Sequence, residues 1–135
     1  MLFRSVLATE TARFGYPEVK IGFVPAIVMA ILRRNLGEKL SFELVTQGFE
    51  FTAAEAQNYG LVNRIFPEEN FADAAIEYAA VYRKLSASAV RLSKSLLYQM
   101  DGMRFAESLE AGSQTNAAAR MTEDCQKGIA KFLGK

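Results

Sequence analysis

From Phe71 to the carboxyl end, apolar residues recur at helical spacing, and no stretch there keeps the two-residue period of a strand. Phe71, Ala74, Ala75, Tyr78, Ala79 and Tyr82 fall on one helical face. Leu92, Leu96 and Met100 form the next stripe, closed by Asp101-Gly102. Phe105, Leu109, Gly112 and Asn116 mark a third face, whose small residues permit close helix approach. Thr122 caps a last helix carrying Ile129, Phe132 and Leu133. Roughly half of the chain is thereby committed to helix.

The front half is more mixed. Leu2 to Leu7 is β-compatible, and Val19, Ile21 and Phe23 alternate with Glu18, Lys20 and Gly22, the pattern of a half-buried strand. Ala26 to Asn35 reads as a helix stopped by Gly37, and Leu40 to Thr46 as another closed by Gly48. Phe49-Glu50-Phe51 suits a brief strand. Thr52-Ala53-Ala54-Glu55 is a capping box, and the helix it opens runs through Asn58 and ends at Gly60. Leu61 to Phe66 reads as a strand stopped by Pro67. The fold class is a helix-dominated α/β arrangement.

Residue types narrow the chemistry. The chain has no histidine and one cysteine, Cys125. Within it, Ser-His-Asp and Cys-His catalysis and nearly all zinc sites are excluded, which leaves carboxylates, Lys, Tyr and backbone dipoles. A single cysteine forms no internal disulfide and suits a reducing compartment. Sixteen Lys and Arg against fifteen Asp and Glu give no basic excess for nucleic acid. The start has too short an apolar run for a signal peptide, and no stretch approaches the roughly 20 apolar residues of a membrane span. The expectation is a soluble, cytoplasmic protein.

Glu18 is the candidate that chemistry singles out. It follows Pro17, which with Tyr16 stiffens the local backbone. A carboxylate held among Tyr16, Phe23 and Pro25 suits general acid–base work. The competing reading places Glu18 and Lys20 on the solvated face of a strand. No glycine-rich phosphate loop is present. Cys125 reads as a packing residue, and Lys127, Lys131 and Lys135 as cations at a helix carboxyl end.

The stretch from Ala12 to Pro25 fits A-x-F-x-x-P-E-x-x-x-G-x-x-P through Ala12, Phe14, Pro17, Glu18, Gly22 and Pro25. It continues through Leu32-Arg33-Arg34-Asn35-Leu36-Gly37, Thr46-Gln47-Gly48, Ala53-x-Glu55-Ala56 and Tyr59-Gly60-Leu61-Val62-Asn63-Arg64. Ser88-Ala89, Lys94, Thr122-Glu123-Asp124, Gly128-Ile129 and Phe132 extend it to the tail. This ordered set resembles the carboxy-terminal half of the enoyl-CoA hydratase/isomerase (crotonase) superfamily.

The resemblance implies a partial crotonase-like spiral core over 1–68 and a helical oligomerisation region over 69–135. It implies that Glu18 is one of two catalytic glutamates, the one passing the proton at the substrate carbon next to the arriving or leaving water. Pro25, Ala26 and Ile27 would line the acyl pocket, and Phe132 and Lys135 would meet the adenine and a phosphate of the coenzyme A of a neighbouring subunit. Coenzyme A would be part of the substrate, with no separate cofactor and no metal.

Two departures qualify the expectation. Ala26-Ile27-Val28-Met29 stands where the family has a glycine-rich run, which implies a narrower or differently shaped acyl pocket. The family's oxyanion-hole amides, its other catalytic glutamate and most of its coenzyme A pocket belong to the earlier half, for which this sequence has no counterpart. One oxyanion donor is worth roughly 10²–10³ in rate and a general acid–base roughly 10²–10⁴. The chain alone is therefore expected to have little or no activity, and to bury apolar surface as a trimer, a higher oligomer or a swapped dimer. The alternative to an acyl-CoA hydratase or isomerase is an inactive helical assembly module.

Overall fold

The computed structural model describes residues 5–134. Contacts divide the chain after Ile76 into two compact units. No described helix is long and apolar enough to cross a membrane.

The first unit contains two strand pairs with helices between them. β1 (Leu7–Thr9) pairs in parallel with β4 (Arg64–Phe66), in the register Leu7 opposite Arg64 and Thr9 opposite Phe66. β2 (Arg13–Gly15) pairs antiparallel with β3 (Glu50–Thr52), with Phe14 opposite Phe51. A parallel pair needs a long crossover. Here it contains β2, β3 and the helices α1 (Ala26–Asn35), α2 (Glu38–Gln47) and α3 (Ala53–Asn58).

The core of this unit is Ala8, Leu32, Leu36, Leu44, Val45, Phe51, Ala53, Ala56 and Val62. Phe51 is its centre at 1% exposure. Its ring lies 5.7 Å from those of Phe14 and Tyr59, 6.1 Å from Tyr16 and 6.2 Å from Phe49. Offset and edge contacts of this kind add to the burial of a large apolar side chain.

The capping box forms as the sequence predicts. The Thr52 hydroxyl accepts the Glu55 amide at 3.2 Å, and the Thr52 amide donates to Glu55 Oε2 at 2.7 Å. α1 has the limits expected from the sequence. The expected strand over Leu2 to Leu7 meets β1 only at Leu7, and its first residues lie outside those described.

Two local readings are corrected. The alternating segment from Glu18 to Phe23 is no strand: Pro17–Ile21 is a 3-10 turn. Proline at its first position supplies a helical φ and needs no amide donor. Gly22 closes the turn at φ 81°, its amide bonding back to the Val19 carbonyl. Gly37, read as the stop of α1, is instead the cap before α2, at φ −65°. α1 stops because the buried Leu36 leaves the helix in an extended conformation.

The second unit, from Glu77 onward, is helical. It takes in the end of α4 (Phe71–Ala80), then α5 (Ala87–Gln99), α6 (Phe105–Arg120) and α7 (Glu123–Phe132). Ser86 caps α5 by accepting the Ala89 amide, and Thr122 caps α7 by accepting the Cys125 amide. In α6 a Cβ added at Gly112 would meet only Met100 Cε, just past the end of α5, at an ordinary 3.9 Å. None of the described residues of α4 to α7 is buried.

Candidate functional site

Glu18 is carried on the 3-10 turn, and the turn is held from several sides. Its own carbonyl accepts the Phe23 amide at 3.0 Å, which folds the segment back on itself. Behind it, Tyr16 packs on Phe51, tying the turn to the core. Beside it, the C-terminus of α2 ends in Gly48, buried and left-handed at φ 62°. A Cβ at Gly48 would lie 3.3 Å from Val19 Cγ2, 3.3 Å from Lys20 Cε and 3.4 Å from the Tyr16 carbonyl. The turn thus rests against a bare stretch of backbone.

The Glu18 side chain is half-buried. Its Oε2 is shielded from solvent and has no hydrogen-bond partner. Buried polar atoms are ordinarily paired, and an orphan calls for an explanation such as a catalytic role. The neighbouring Tyr16 phenol is pushed up, first by burial and then by the charge of the Glu18 carboxylate. A strand residue on a solvated face, the competing reading of Glu18, would have neither feature.

The other sequence candidates are placed as follows. Pro25 is buried and caps α1, its carbonyl accepting the Met29 amide at 2.8 Å. Ala26 and Ile27 open α1 and are exposed, Ile27 at 79%. Ile21, Phe23 and Val24 are exposed as well, so the segment that follows Glu18 presents apolar side chains to solvent. Phe132 lies at the end of α7 in the second unit and is 90% exposed. Lys135 lies outside the described residues.

A shallow recess of about 580 Å³ runs along the 3-10 turn, walled by Arg13, Pro17, Lys20, Gly48 and Glu50 among others. Glu18 is not among its walls, so the recess and the candidate acid are distinct features. Among the described residues no group of carboxylates and cysteine is placed to hold a metal ion. Sequence reasoning set Tyr16 beside Glu18 but overlooked the contact made by Gly48. Gly48 had a signal as a helix stop, but its contact with the 3-10 turn lies 28 or more positions away in sequence and has none.

The fold is a helix-dominated α/β arrangement in which a proline-led turn carries a carboxylate oxygen shielded from solvent and without a hydrogen-bond partner. The profile of the enoyl-CoA hydratase/isomerase family matches residues 5–135, and the chain belongs to that family. A protein of Thermus thermophilus that carries an enoyl-CoA hydratase name is 40% identical over 130 residues, covering 96% of this chain and 51% of its own length. The 2,3-dehydroadipyl-CoA hydratase of Escherichia coli is 34% identical over 131 residues, covering 96% of this chain and 51% of its own. A solved enoyl-CoA hydratase structure from Mycobacterium smegmatis superposes with a TM-score of 0.91 at 25% identity, over 97% of this chain and 51% of that one. The chain spans about half the length of the relatives it matches.

Proposed function

We propose that this chain forms the carboxy-terminal half of an acyl-CoA hydratase or isomerase active site, with Glu18 as its acid–base group. In hydration of an enoyl thioester, water oxygen bonds to C3, a proton is delivered to C2, and the double bond between them is consumed. Glu18 passes the proton. The observation that supports this is the shielded, unpaired Oε2 of Glu18 on a turn fixed by Pro17 and Gly22, in a chain of this family.

In this reading, Pro25, Ala26 and Ile27 form one wall of the acyl pocket. The side chains at Ala26-Ile27-Val28-Met29 narrow or reshape it. Coenzyme A enters as part of the substrate. Phe132 and Lys135 meet the adenine and a phosphate of the coenzyme A bound by a neighbouring subunit. Residues 1–68 form the catalytic core portion, and residues 69–135 the helical region through which copies associate.

The test is hydration of crotonyl-CoA, followed by loss of the enoyl-thioester absorbance. It is run on the chain alone and on the chain joined to the amino-terminal half of the Thermus thermophilus relative, with Glu18→Gln in both. The chain alone should show little turnover. The joined protein should hydrate crotonyl-CoA and lose that activity with Glu18→Gln. A folded, joined protein with no coenzyme A-dependent activity would sink the proposal.

One observation favours a second reading, that of a non-catalytic assembly module. The helices of the second unit leave Phe105 80%, Met121 78% and Phe132 90% exposed. Large apolar side chains left open in this way are available for association with other copies. Light scattering that finds a stable monomer would count against it.

A further inference from the structure

The turn carrying Glu18 owes its position to a residue that contributes no side chain. Gly48 is buried at the end of α2, and the backbone and side chains on both sides of Glu18 press against it: the Tyr16 carbonyl before, Val19 and Lys20 after. Any L-residue at 48 meets two obstacles. Its φ of 62° is left-handed, where a Cβ is strained. Its Cβ would also sit 3.3 Å from Val19 Cγ2 and Lys20 Cε, tighter than carbons ordinarily approach, and 3.4 Å from the Tyr16 carbonyl, so the side chains flanking Glu18 would have to give by a few tenths of an ångström.

We propose that Gly48 is a positioning residue for Glu18: its bare backbone is the seat that sets where the Pro17–Ile21 turn holds the carboxylate. The inference rests on the acid–base reading of Glu18. It concerns geometry, however, and is read without turnover.

The structure supplies its own control. Gly60 is also left-handed, at φ 83°, but a Cβ there meets nothing within 4 Å. Gly60→Ala therefore has the backbone strain alone, whereas Gly48→Ala has the strain and the push on the turn. The strain common to both drops out of the comparison.

The experiment is carbon-13 NMR of glutamate side-chain carboxyls at neutral pH, with the Glu18 signal assigned from its absence in Glu18→Gln. Gly48→Ala should move that signal, Gly60→Ala should leave it in place, and adding Val19→Ala to Gly48→Ala should return it toward the parent position. Gly48→Asn is the second variant should Gly48→Ala not fold. Asparagine tolerates the left-handed backbone yet still has a Cβ. In the joined, active protein, Gly48→Ala should lower kcat on the order of tenfold with KM little changed, as a sub-ångström misplacement does. An unmoved Glu18 signal in folded Gly48→Ala or Gly48→Asn overturns the inference, and so does an equal movement in Gly60→Ala. An inactive joined protein whose Glu18 signal still responds in this pattern would overturn the acid–base reading and leave the positioning intact.

Discussion

The carboxylate of Asp124, in the first turn of α7, accepts both the amide and the hydroxyl of Ser88, in the first turn of α5, at 3.0 and 2.9 Å. The same Oδ2 accepts the Ser86 hydroxyl at 2.9 Å. One oxygen thereby ties together the amino ends of two helices. These bonds, the Ser88 amide first, hold the Asp124 carboxyl below the usual aspartate range.

A depressed folded-state value fixes the sign of the pH effect. The clasp contributes stability above the ordinary aspartate value and loses it as pH falls through the folded value. Asp124→Asn should therefore unfold more easily than the parent at neutral pH. The gap should narrow as pH falls through and below the ordinary aspartate range. Urea unfolding at a series of pH values measures this, and a gap that is constant with pH would contradict it.

Thr52→Ala should lower the stability of the first unit by about 1 kcal/mol, the usual cost of removing an N-cap hydroxyl. Glu55, whose carboxyl is lowered first by the Thr52 amide, which alanine keeps, and then by the Thr52 hydroxyl, which it lacks, should move only part of the way back toward an ordinary glutamate in that variant. Denaturant unfolding gives the first quantity and carboxyl NMR titration the second.

Phe51→Ala removes the ring on which Phe14, Tyr16, Phe49 and Tyr59 converge. Its cost should be about 3–5 kcal/mol, the range for a buried aromatic replaced by alanine. Phe132→Ala, at a position 90% exposed, should stay within about 0.5 kcal/mol. Comparing the two by urea unfolding checks whether the aromatic cluster or the helical tail governs stability.

Glu18→Gln should bring the Tyr16 phenol part of the way back toward an ordinary tyrosine. It should stay raised, because burial is the larger cause. For the parent, the raised value means a stabilising contribution present below the ordinary tyrosine pKa and lost as pH rises through the folded value. Carbon-13 labelling of tyrosine follows Tyr16 separately from the other phenols. A full return to the ordinary value would show that the carboxylate, rather than burial, dominates.

What the sequence made legible was local. The Thr52–Glu55 box needs only residues three apart, and the length of α1 follows from a run of apolar and helix-forming residues. The turn at Glu18 misled because alternation over six residues is too short to separate a strand from a 3-10 turn, and in this chain Ile21 and Phe23 do not point into the core. The clasp between Ser86 and Asp124 joins residues 38 apart, so no pattern announces it. For the candidate site, resemblance brought Glu18 forward. Its shielded oxygen, its effect on Tyr16 and its seat on Gly48 arise from chain segments that meet only in three dimensions.

The parallel pairing of β1 with β4 governs when the first unit can close. The Val6 amide donates to Asn63 Oδ1 at 2.7 Å and the Asn63 amide returns a bond to the Val6 carbonyl at 2.8 Å, a mutual lock between residues 57 apart. At the usual pace of synthesis, roughly 5–20 residues per second, β1 waits about 3 to 11 s for its partner to be made. Throughout that interval the edge of β1 that β4 comes to cover lacks the partner this unit gives it.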